Sequence, residues 1–390
     1  MASTADSRPV VAAYCATFLK PEMLHVYRQI TGIKNFRCVV LAQKRECSDR
    51  FLFEDVIVIP KPATHQLRRF WMKSIRHAPV QIYRSEARRI AAVLQRSGAK
   101  VLHIYFGHIA VHLLPLLEIA AIPVVVSFHG ADVMVGLDQP AHLAATVRML
   151  ARADCVLARS ESLAGRIAAL GCPREKIRVQ RTGIPLDEFP FTARTPPTDG
   201  AWRFVQACRL IGKKGLLTSL RAFAAFARKF PGATFTIAGE GPMLGDLQKL
   251  AHELGIAGRV VFAGFLSQEK LRDLYRGAHV FLHPSETGAD GNQEGVPNSM
   301  LEAMATGMPV LATTHGGIPE AVAHGVSGWL VDERDSRGLA RAMFDLADGT
   351  LPFEKMGEEA SRAVREKFEQ QAQIRVLEKI YEETIRHSLR

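Results

Sequence analysis

Six cysteines, at positions 15, 38, 47, 155, 172 and 208, are scattered over 390 residues with no CxxC pair and no metal-ligand spacing. That spacing excludes a zinc ribbon or a disulfide scaffold, suits small core residues in a reducing cytosol, and leaves no expected metal. The N-terminus, MASTADSRPVVAAYC, lacks the basic region and apolar core of a signal peptide, so a cytoplasmic chain is expected. Long uncharged apolar runs are scarce. The one stretch long enough to span a bilayer, Val101–Phe128, carries His103, His108, His112, Glu118 and two prolines. It divides by pattern into strand, helix and strand, and reads as buried β-α-β. A complete GxGxxG followed by an acidic residue is missing, which excludes an ordinary dinucleotide-binding oxidoreductase. Acids are almost missing from one segment: residues 61–100 hold ten Lys and Arg against one carboxylate, Glu86.

What is present is globular. The chain is 47% hydrophobic and 23% charged, long enough for two domains that each bury a core. Its net charge of +11 is unevenly placed. Residues 1–185 hold 26 basic and 13 acidic side chains, and the remainder 24 and 26, so the whole excess lies in the first half. A nucleic acid, an anionic membrane or a phosphorylated substrate would each answer such a surface. No nucleic-acid recognition motif accompanies the charge, and that partner is set aside.

Along the chain, PVVAAYCATF, RCVVLAQK, DVIVIP, KVLHIYFG, PVVVSFHG and CVLARS read as strands separated by helical segments. This is a βαβ series with a parallel sheet. After RVQRTGIPLDEF comes a Thr-, Pro- and Gly-rich linker, residues 191–201. The alternation then restarts with RFVQACRL, ATFTIAGEG, VVFAGFLS, HVFLHPS and PVLATT, and helices fill most of 335–388. The expected organisation is α/β throughout: a Rossmann-like domain over 1–190 and a second over 202–370. A helix at 371–390 is expected to cross back to the first domain. Ligands are expected where strand C-termini meet a cleft.

The chemistry concentrates in the second half. His283 to Glu302 reads HPSETGADGNQEGVPNSMLE, a strand emptying into a polar loop that ends at a helix start. Glu294 precedes that helix and Glu302 lies inside it. Between them are backbone N–H groups without helical partners, suited to a phosphate or a sugar oxygen. Carboxylates accept bonds from sugar hydroxyls, so a nucleotide-sugar would satisfy both features. The plainer reading, a capping Glu294 and a solvated Glu302, is weighed against that context. Upstream, Arg209 ends a strand and Lys214 opens a helix within RLIGKKG, where a guanidinium fork and a mobile ammonium can share one diphosphate. The turn IAGEGP, with Gly239 and Gly241, is half a dinucleotide fingerprint and a better tight turn for close backbone approach.

In this order, RLIGKKG, IAGEGP, FAGFLS, HPS…EGVPNSMLEAMATGMPVLAT, GGIPE and GxSGWLV resemble the family 4 retaining glycosyltransferases of the GT-B fold. The loop ADGNQEGVPN is similar to the subgroup that makes bacterial exopolysaccharides of the colanic-acid type. The resemblance implies two Rossmann-like domains facing a cleft, and a nucleotide-sugar that is a substrate, with no cofactor; a same-fold epimerase or phosphorylase, or a non-catalytic sugar-nucleotide-binding module, is the alternative reading. It implies that Arg209 and Lys214 hold the donor diphosphate, Glu294 bonds the donor sugar and Glu302 the ribose. Gly241, Gly264 and Phe265 would line the nucleotide, and Gly295, Val296, Pro297 and Asn298 would offer backbone to sugar and phosphates. In the first half, Ser127-Phe128-His129-Gly130-Ala131-Asp132 resembles the family's H-G-x-D segment, which implies that His129 faces the donor sugar across the cleft. His103 matches an H-x-H-F pattern whose second histidine is Tyr105 here, and is expected to pack locally. The family's first-loop Gly-Gly is replaced by Thr17-Phe18-Leu19-Lys20-Pro21, where Lys20 offers a cation instead.

The segment HQLRRFWMKSIRHAP interleaves Arg68, Arg69, Lys73 and Arg76 with Leu67, Phe70, Trp71 and Ile75. Leu67, Trp71 and Ile75 share one helical face. Two readings stand open. The helix packs on its own domain, or Arg68, Arg69, Trp71, Lys73 and Arg76 form a surface for anionic lipid or a lipid-linked acceptor, making the chain peripheral on the inner membrane face.

Overall fold

Strand β1 (Val10–Phe18) shows how the first sheet is built. Val10, Ala12 and Tyr14 sit in one apolar cluster, and Val11, Ala13 and Cys15 in another. Apolar residues on both faces at period two mark a parallel strand covered on both sides. Six more strands follow the same logic: β2 (Arg37–Arg45), β3 (Val56–Val58), β4 (Ala99–Tyr105), β5 (Val124–Phe128), β6 (Cys155–Ala158) and β7 (Ile177–Val179). All pair in parallel, in the order β3-β2-β1-β4-β5-β6-β7. This computed structural model describes residues 6–20, 23–288 and 291–389. Pro21, in the first loop, and Ala289 and Asp290, in the loop before Glu294, lie outside the described residues.

The chain forms two units, Met1–Gly183 with Gln371–Arg390, and Ile184–Gln370. The first was expected to run through residue 190. Ile184 and Phe189, however, are buried in the apolar cluster of the second, and that burial sets the boundary. The helix Gln370–Ser388 buries Ile374, Leu377, Ile380 and Tyr381 beside Val11, Cys15 and Tyr105, which is why it belongs with the first sheet. Its Glu378 accepts the backbone N–H groups of Lys34 and Asn35 at 2.7 and 2.6 Å.

The second unit repeats the construction with β8 (Arg203–Ala207), β9 (Thr234–Ala238), β10 (Val260–Gly264), β11 (Val280–His283), β12 (Val310–Thr313) and β13 (Trp329–Val331). The order is β10-β9-β8-β11-β12-β13, again all parallel. Phe204, Ile237, Val280 and Leu282 pack on one face, and Val205, Ala238 and Phe281 on the other. In each sheet the strand order reverses at one place: between β1 and β4 in the first, between β8 and β11 in the second. The loops leaving these strands open a crevice, the usual position for a ligand in this architecture.

Val101–Phe128 resolves into β4, the short helices Gly107–His112 and Leu114–Leu117, and β5. Among the described residues no helix is long and apolar enough to cross a membrane.

Candidate functional site

At the reversal of the second sheet, β8 leads into the loop of Arg209 and the turn Gly212–Lys214, and β11 leads into the loop that carries Glu294. The helix Asn298–Ala305 follows that loop. Ser299 Oγ donates to the carbonyl of Ala207 at 2.6 Å, fastening the helix start to the end of β8. Pro297 holds the cap position and supplies no side-chain bond to the first helical turn. Two glycines make the arrangement possible. A side chain on Gly215 would place its Cβ 1.7 Å from the carbonyl oxygen of Pro284, and one on Gly239 would sit 1.9 Å from that of Cys208.

The charges meet where the two loops meet. Lys214 Nζ lies 2.7 Å from Glu294 Oε2, and Lys213 Nζ lies 3.5 Å from the same oxygen. Both lysines are buried, with 8% of their surface exposed. Lys213 also donates to Asn292 Oδ1 and the carbonyl of Gln293, each at 3.3 Å. Burial pushes the Glu294 carboxyl upward, but the ammonium groups of Lys214 and Lys213 outweigh it and hold the group at about 2. Burial lowers Lys213 from its ordinary value, against the pull of Glu294. Near them His283 is fully buried, and among the described residues neither of its ring nitrogens has a hydrogen-bond partner. Burial first, then the field of Lys214, brings His283 down to about 3, so it is neutral. Arg209 is exposed, and its field also lowers Lys213. The cluster thus holds three cations against one carboxylate, an excess that suits a diphosphate.

Of the remaining expected positions, Glu302 is buried with 6% exposed, next to Tyr275, whose phenol is raised by burial and then by Glu302. Gly241 crosses the preceding loop closely, since a Cβ there would meet the carbonyl oxygen of Leu210 at 2.4 Å. The Gly-rich turn therefore fastens one loop to another: Leu210 donates to the carbonyl of Glu240 at 2.8 Å, and Met243 to that of Leu210 at 3.2 Å. Gly264 has a positive φ of 66° and accepts from Gly239 N–H at 2.7 Å, while Phe265 presents a ring that is 56% exposed. Gly295, Val296 and Asn298 are half-buried, and Pro297 is buried. Lys213 was not singled out from the sequence. The signal for it is the doubled lysine of GKKG.

In the first unit, His129 stands just beyond the end of β5, between two side chains. His25 Nε2 lies 3.1 Å from its Nδ1, and Ser127 Oγ lies 3.1 Å from its Nε2. Asp132 accepts the backbone N–H groups of His129 and Gly107, both at 2.8 Å, and so ties together the loops after β4 and β5. Desolvation, then the field of Arg159 and of neighbouring histidines, holds the His129 imidazole well below its ordinary value. His103 is buried and meets the hydroxyl of Tyr381 at 2.6 Å, the local packing expected of it. Lys20 is exposed.

The basic segment forms a helix, His65–Phe70, that widens into a π-helical turn, Trp71–Ile75. One expected surface residue is corrected. Arg68 is buried, paired with Glu86, near His65 Nδ1 at 3.1 Å and stacked over Tyr83 at 4.4 Å. The helix turns Arg68 inward to Glu86, the one acid of residues 61–100. Its large apolar residues turn outward: Leu67 is 74% exposed, Phe70 64%, Trp71 51% and Ile75 50%. Arg69, Lys73 and Arg76 are exposed around them. This apolar face is therefore left uncovered by the described residues of its own unit.

Comparison with known proteins gives a consistent picture. A family model described as "Glycosyl transferases group 1" matches residues 191–364, and one described as "Glycosyltransferase Family 4" matches residues 34–188. The chain is 32% identical to the amylovoran biosynthesis glycosyltransferase AmsK of Erwinia amylovora, over 75% of this chain and 72% of that protein. It is 35% identical to WcaL of Escherichia coli, named for colanic acid biosynthesis, over 70% of this chain and 66% of WcaL. The match thus spans about two thirds of WcaL's length. Among solved structures, HepE of Anabaena in complex with UDP superposes with a TM-score of 0.75 at 19% identity, covering 96% of this chain and 100% of HepE. At that identity the likeness speaks for the GT-B fold.

Proposed function

The chain belongs to the family 4 glycosyltransferases, and from that premise we propose which transfer it performs. It moves a sugar, with retention of anomeric configuration, from a nucleotide-sugar to a lipid-linked or saccharide acceptor in exopolysaccharide or cell-surface glycan synthesis. The observation that carries this reading is the cluster of Lys213, Lys214 and Glu294 at the reversal of the second sheet.

In the proposed reaction the bond between the anomeric carbon and the diphosphate oxygen breaks, and its electron pair leaves with the diphosphate. Negative charge grows on that leaving group, while the sugar passes through an oxocarbenium-like state. Arg209 and Lys214, with Lys213 beside them, answer the growing charge. Glu294, ionised at any physiological pH because its carboxyl is held at about 2, accepts bonds from donor-sugar hydroxyls. Glu302 takes the ribose. Gly241, Gly264 and Phe265 border the nucleotide, and the backbone of Gly295–Asn298 meets sugar and phosphates. His129, kept neutral, acts on the donor sugar as a hydrogen-bonding group. The acceptor oxygen bonds to the anomeric carbon on the face the diphosphate leaves, and its proton passes to a phosphate oxygen of the leaving group. The face of Leu67, Phe70, Trp71 and Ile75 with Arg69, Lys73 and Arg76 serves a lipid-linked acceptor at an anionic membrane surface. The chain then works on the inner face of the membrane.

Product analysis tests this. With UDP-glucose, GDP-mannose and ADP-glucose as donors and lipid-linked and free saccharides as acceptors, nucleoside diphosphate should appear only when an acceptor is present. The new linkage should keep the donor's α configuration by NMR coupling. Turnover without acceptor, or an inverted linkage, would refute the reading.

A further inference from the structure

The loop between β11 and the helix Asn298–Ala305 carries Glu294, and besides Lys213 its backbone is held by a pair of side chains from beyond the following strands. The N–H of Glu294 donates to His315 Nε2 at 2.9 Å. On the other side of the ring, His315 Nδ1 lies 2.5 Å from Glu333 Oε1. Glu333 in turn accepts from the N–H of Thr287 at 2.7 Å and from its hydroxyl at 3.2 Å. Thr287 lies near the start of the loop and Glu294 near its end. One chain of bonds, Thr287–Glu333–His315–Glu294, therefore grips both ends. The turn after β12 completes the grip, since Gly317 N–H donates to the carbonyl of Glu294 at 3.3 Å. Gly316 leaves no space for the loop to slide, because a Cβ there would stand 2.1 Å from the same oxygen.

The proton inventory gives the chain a direction. A backbone N–H can only donate, so Nε2 of His315 accepts. A neutral imidazole then carries its proton on Nδ1, where Glu333, an acceptor, receives it. The ring is fully buried and cannot exchange this pair of bonds for water. Each partner thus fixes the tautomer the other requires, as outer partners do for ligating histidines.

We propose that His315 and Glu333 are positioning residues for transfer: they set the backbone of Glu294, and through it the carboxylate that meets the donor sugar. This rests on the reading of Glu294 given above. It says that a loop with neither helix nor strand holds its carboxylate still because of a His–Glu pair, and that the pair matters only when a sugar is attached to the nucleotide. A misplacement of about 1 Å at such a group costs about 100-fold in rate.

The test uses the full-length protein with UDP and UDP-glucose, and with GDP and GDP-mannose, as probes, together with amide exchange of the loop. His315→Leu should speed exchange of the Glu294 amide about tenfold while leaving amides of the first unit unchanged. It should lower kcat/KM with the nucleotide-sugar about 100-fold and leave the affinity for the bare nucleoside diphosphate within twofold. His315→Gln keeps an acceptor toward the Glu294 N–H and should recover part of that loss. Combined with Glu294→Gln, His315→Leu should add nothing further, because it acts through Glu294. If His315→Leu does not fold, Glu333→Gln, at a partly exposed position, carries the same expectations with a smaller loss. Unchanged exchange at Glu294 would overturn the proposal, and so would equal loss of bare-nucleotide and nucleotide-sugar affinity. If Glu294→Gln itself keeps full turnover, the role of Glu294 fails. If Glu294→Gln is impaired while His315→Leu and Glu333→Gln are not, the positioning role alone fails.

Discussion

The two units share one architecture and handle charge in opposite ways. At the sheet reversal of the second, buried lysines are balanced against a half-buried carboxylate, within 2.7 and 3.5 Å. At the strand ends of the first, desolvation acts first on the titratable groups: it holds His129 well below its ordinary value and raises Asp132 above its own. Arg69, Lys73 and Arg76 stand outside, on a helix whose large apolar residues also face out, while Arg68 turns in to Glu86. The difference separates two tasks. A site that takes a diphosphate needs preset charge, and buried charge is tolerable only when paired and hydrogen-bonded. A surface that meets lipid needs exposed cations and exposed apolar side chains together, which would be a liability on a chain with nothing to cover them.

The largest effect should come from breaking the preset charge. Replacing both Lys213 and Lys214 with Ala should lower kcat/KM about 1,000-fold or more, since removing a single preorganised donor costs about 2.7–4 kcal/mol. It should also leave half-buried Glu294 without a counter-charge and lower the stability of the second unit. Steady-state kinetics and urea unfolding measure the two effects. A double variant with wild-type kinetics would break the comparison.

The glutamates sharpen it. On the proposed roles, with Glu294 on the reacting sugar and Glu302 on the ribose, Glu294→Gln should lower kcat while nucleoside diphosphate still binds, and Glu302→Gln should weaken nucleoside diphosphate itself. Calorimetry with UDP and GDP separates these outcomes, and the reverse pattern would exchange the two roles.

Acidification tests both units at once. His103 in the first and His283 in the second are each held at about 3 by burial, below the ordinary 6.5. As pH falls below 6.5 the unfolded chain takes up protons that the folded chain refuses, so stability present at neutral pH is lost progressively toward pH 3. Glu294, held at about 2 against an ordinary 4.5, adds a further loss from pH 4.5 down to 2 in the second unit. Unfolding midpoints measured from pH 7.5 to 4 should fall, and His103→Phe and His283→Phe should flatten the decline. Midpoints independent of pH over that range would contradict the neutral-histidine assignment.

The smallest effect belongs to the exposed helix. Arg69, Lys73 and Arg76 should each contribute about 1 kcal/mol of attraction to an anionic bilayer. Changing all three to Gln should weaken sedimentation with phosphatidylserine or phosphatidylglycerol vesicles, and high salt should mimic the change. Phe70→Ser with Trp71→Ser should remove the salt-resistant part. Arg68→Gln should leave vesicle binding alone and lower stability instead, because half-buried Glu86 would lose its counter-charge. A wild-type chain that ignores such vesicles at low salt would remove the membrane surface.

Much of this was legible because it is local in sequence. The alternation of strands and helices, the two α/β units and the Glu294–Glu302 spacing are read from contiguous stretches, and each depends on periodicity or on a strand-loop-helix order. The Gly-rich turn at 239–241 was legible as a close approach, though what approaches is another loop. Other features were hidden for tertiary reasons. Helical periodicity groups Leu67, Trp71 and Ile75 on one face but does not say whether that face looks inward; Glu86, eighteen residues beyond Arg68, decides it by drawing Arg68 inside. The bond from His315 to Glu333 joins the ends of two neighbouring strands, and neither residue carries a signal alone. Lys213 and Lys214 look equivalent in GKKG, and only the position of Glu294 shows that both are engaged.

The central claim is that the second unit holds a nucleotide-sugar through Lys213, Lys214 and Glu294. Its most direct test is thermal unfolding of the wild-type chain and of the double lysine variant with UDP-glucose, GDP-mannose and ADP-glucose. At 100 times its dissociation constant, the right donor should stabilise the wild-type chain by about 2.7 kcal/mol. That shift should vanish in the double variant. No stabilisation of the wild-type chain by any nucleotide-sugar, or an equal shift in the variant, would contradict the account.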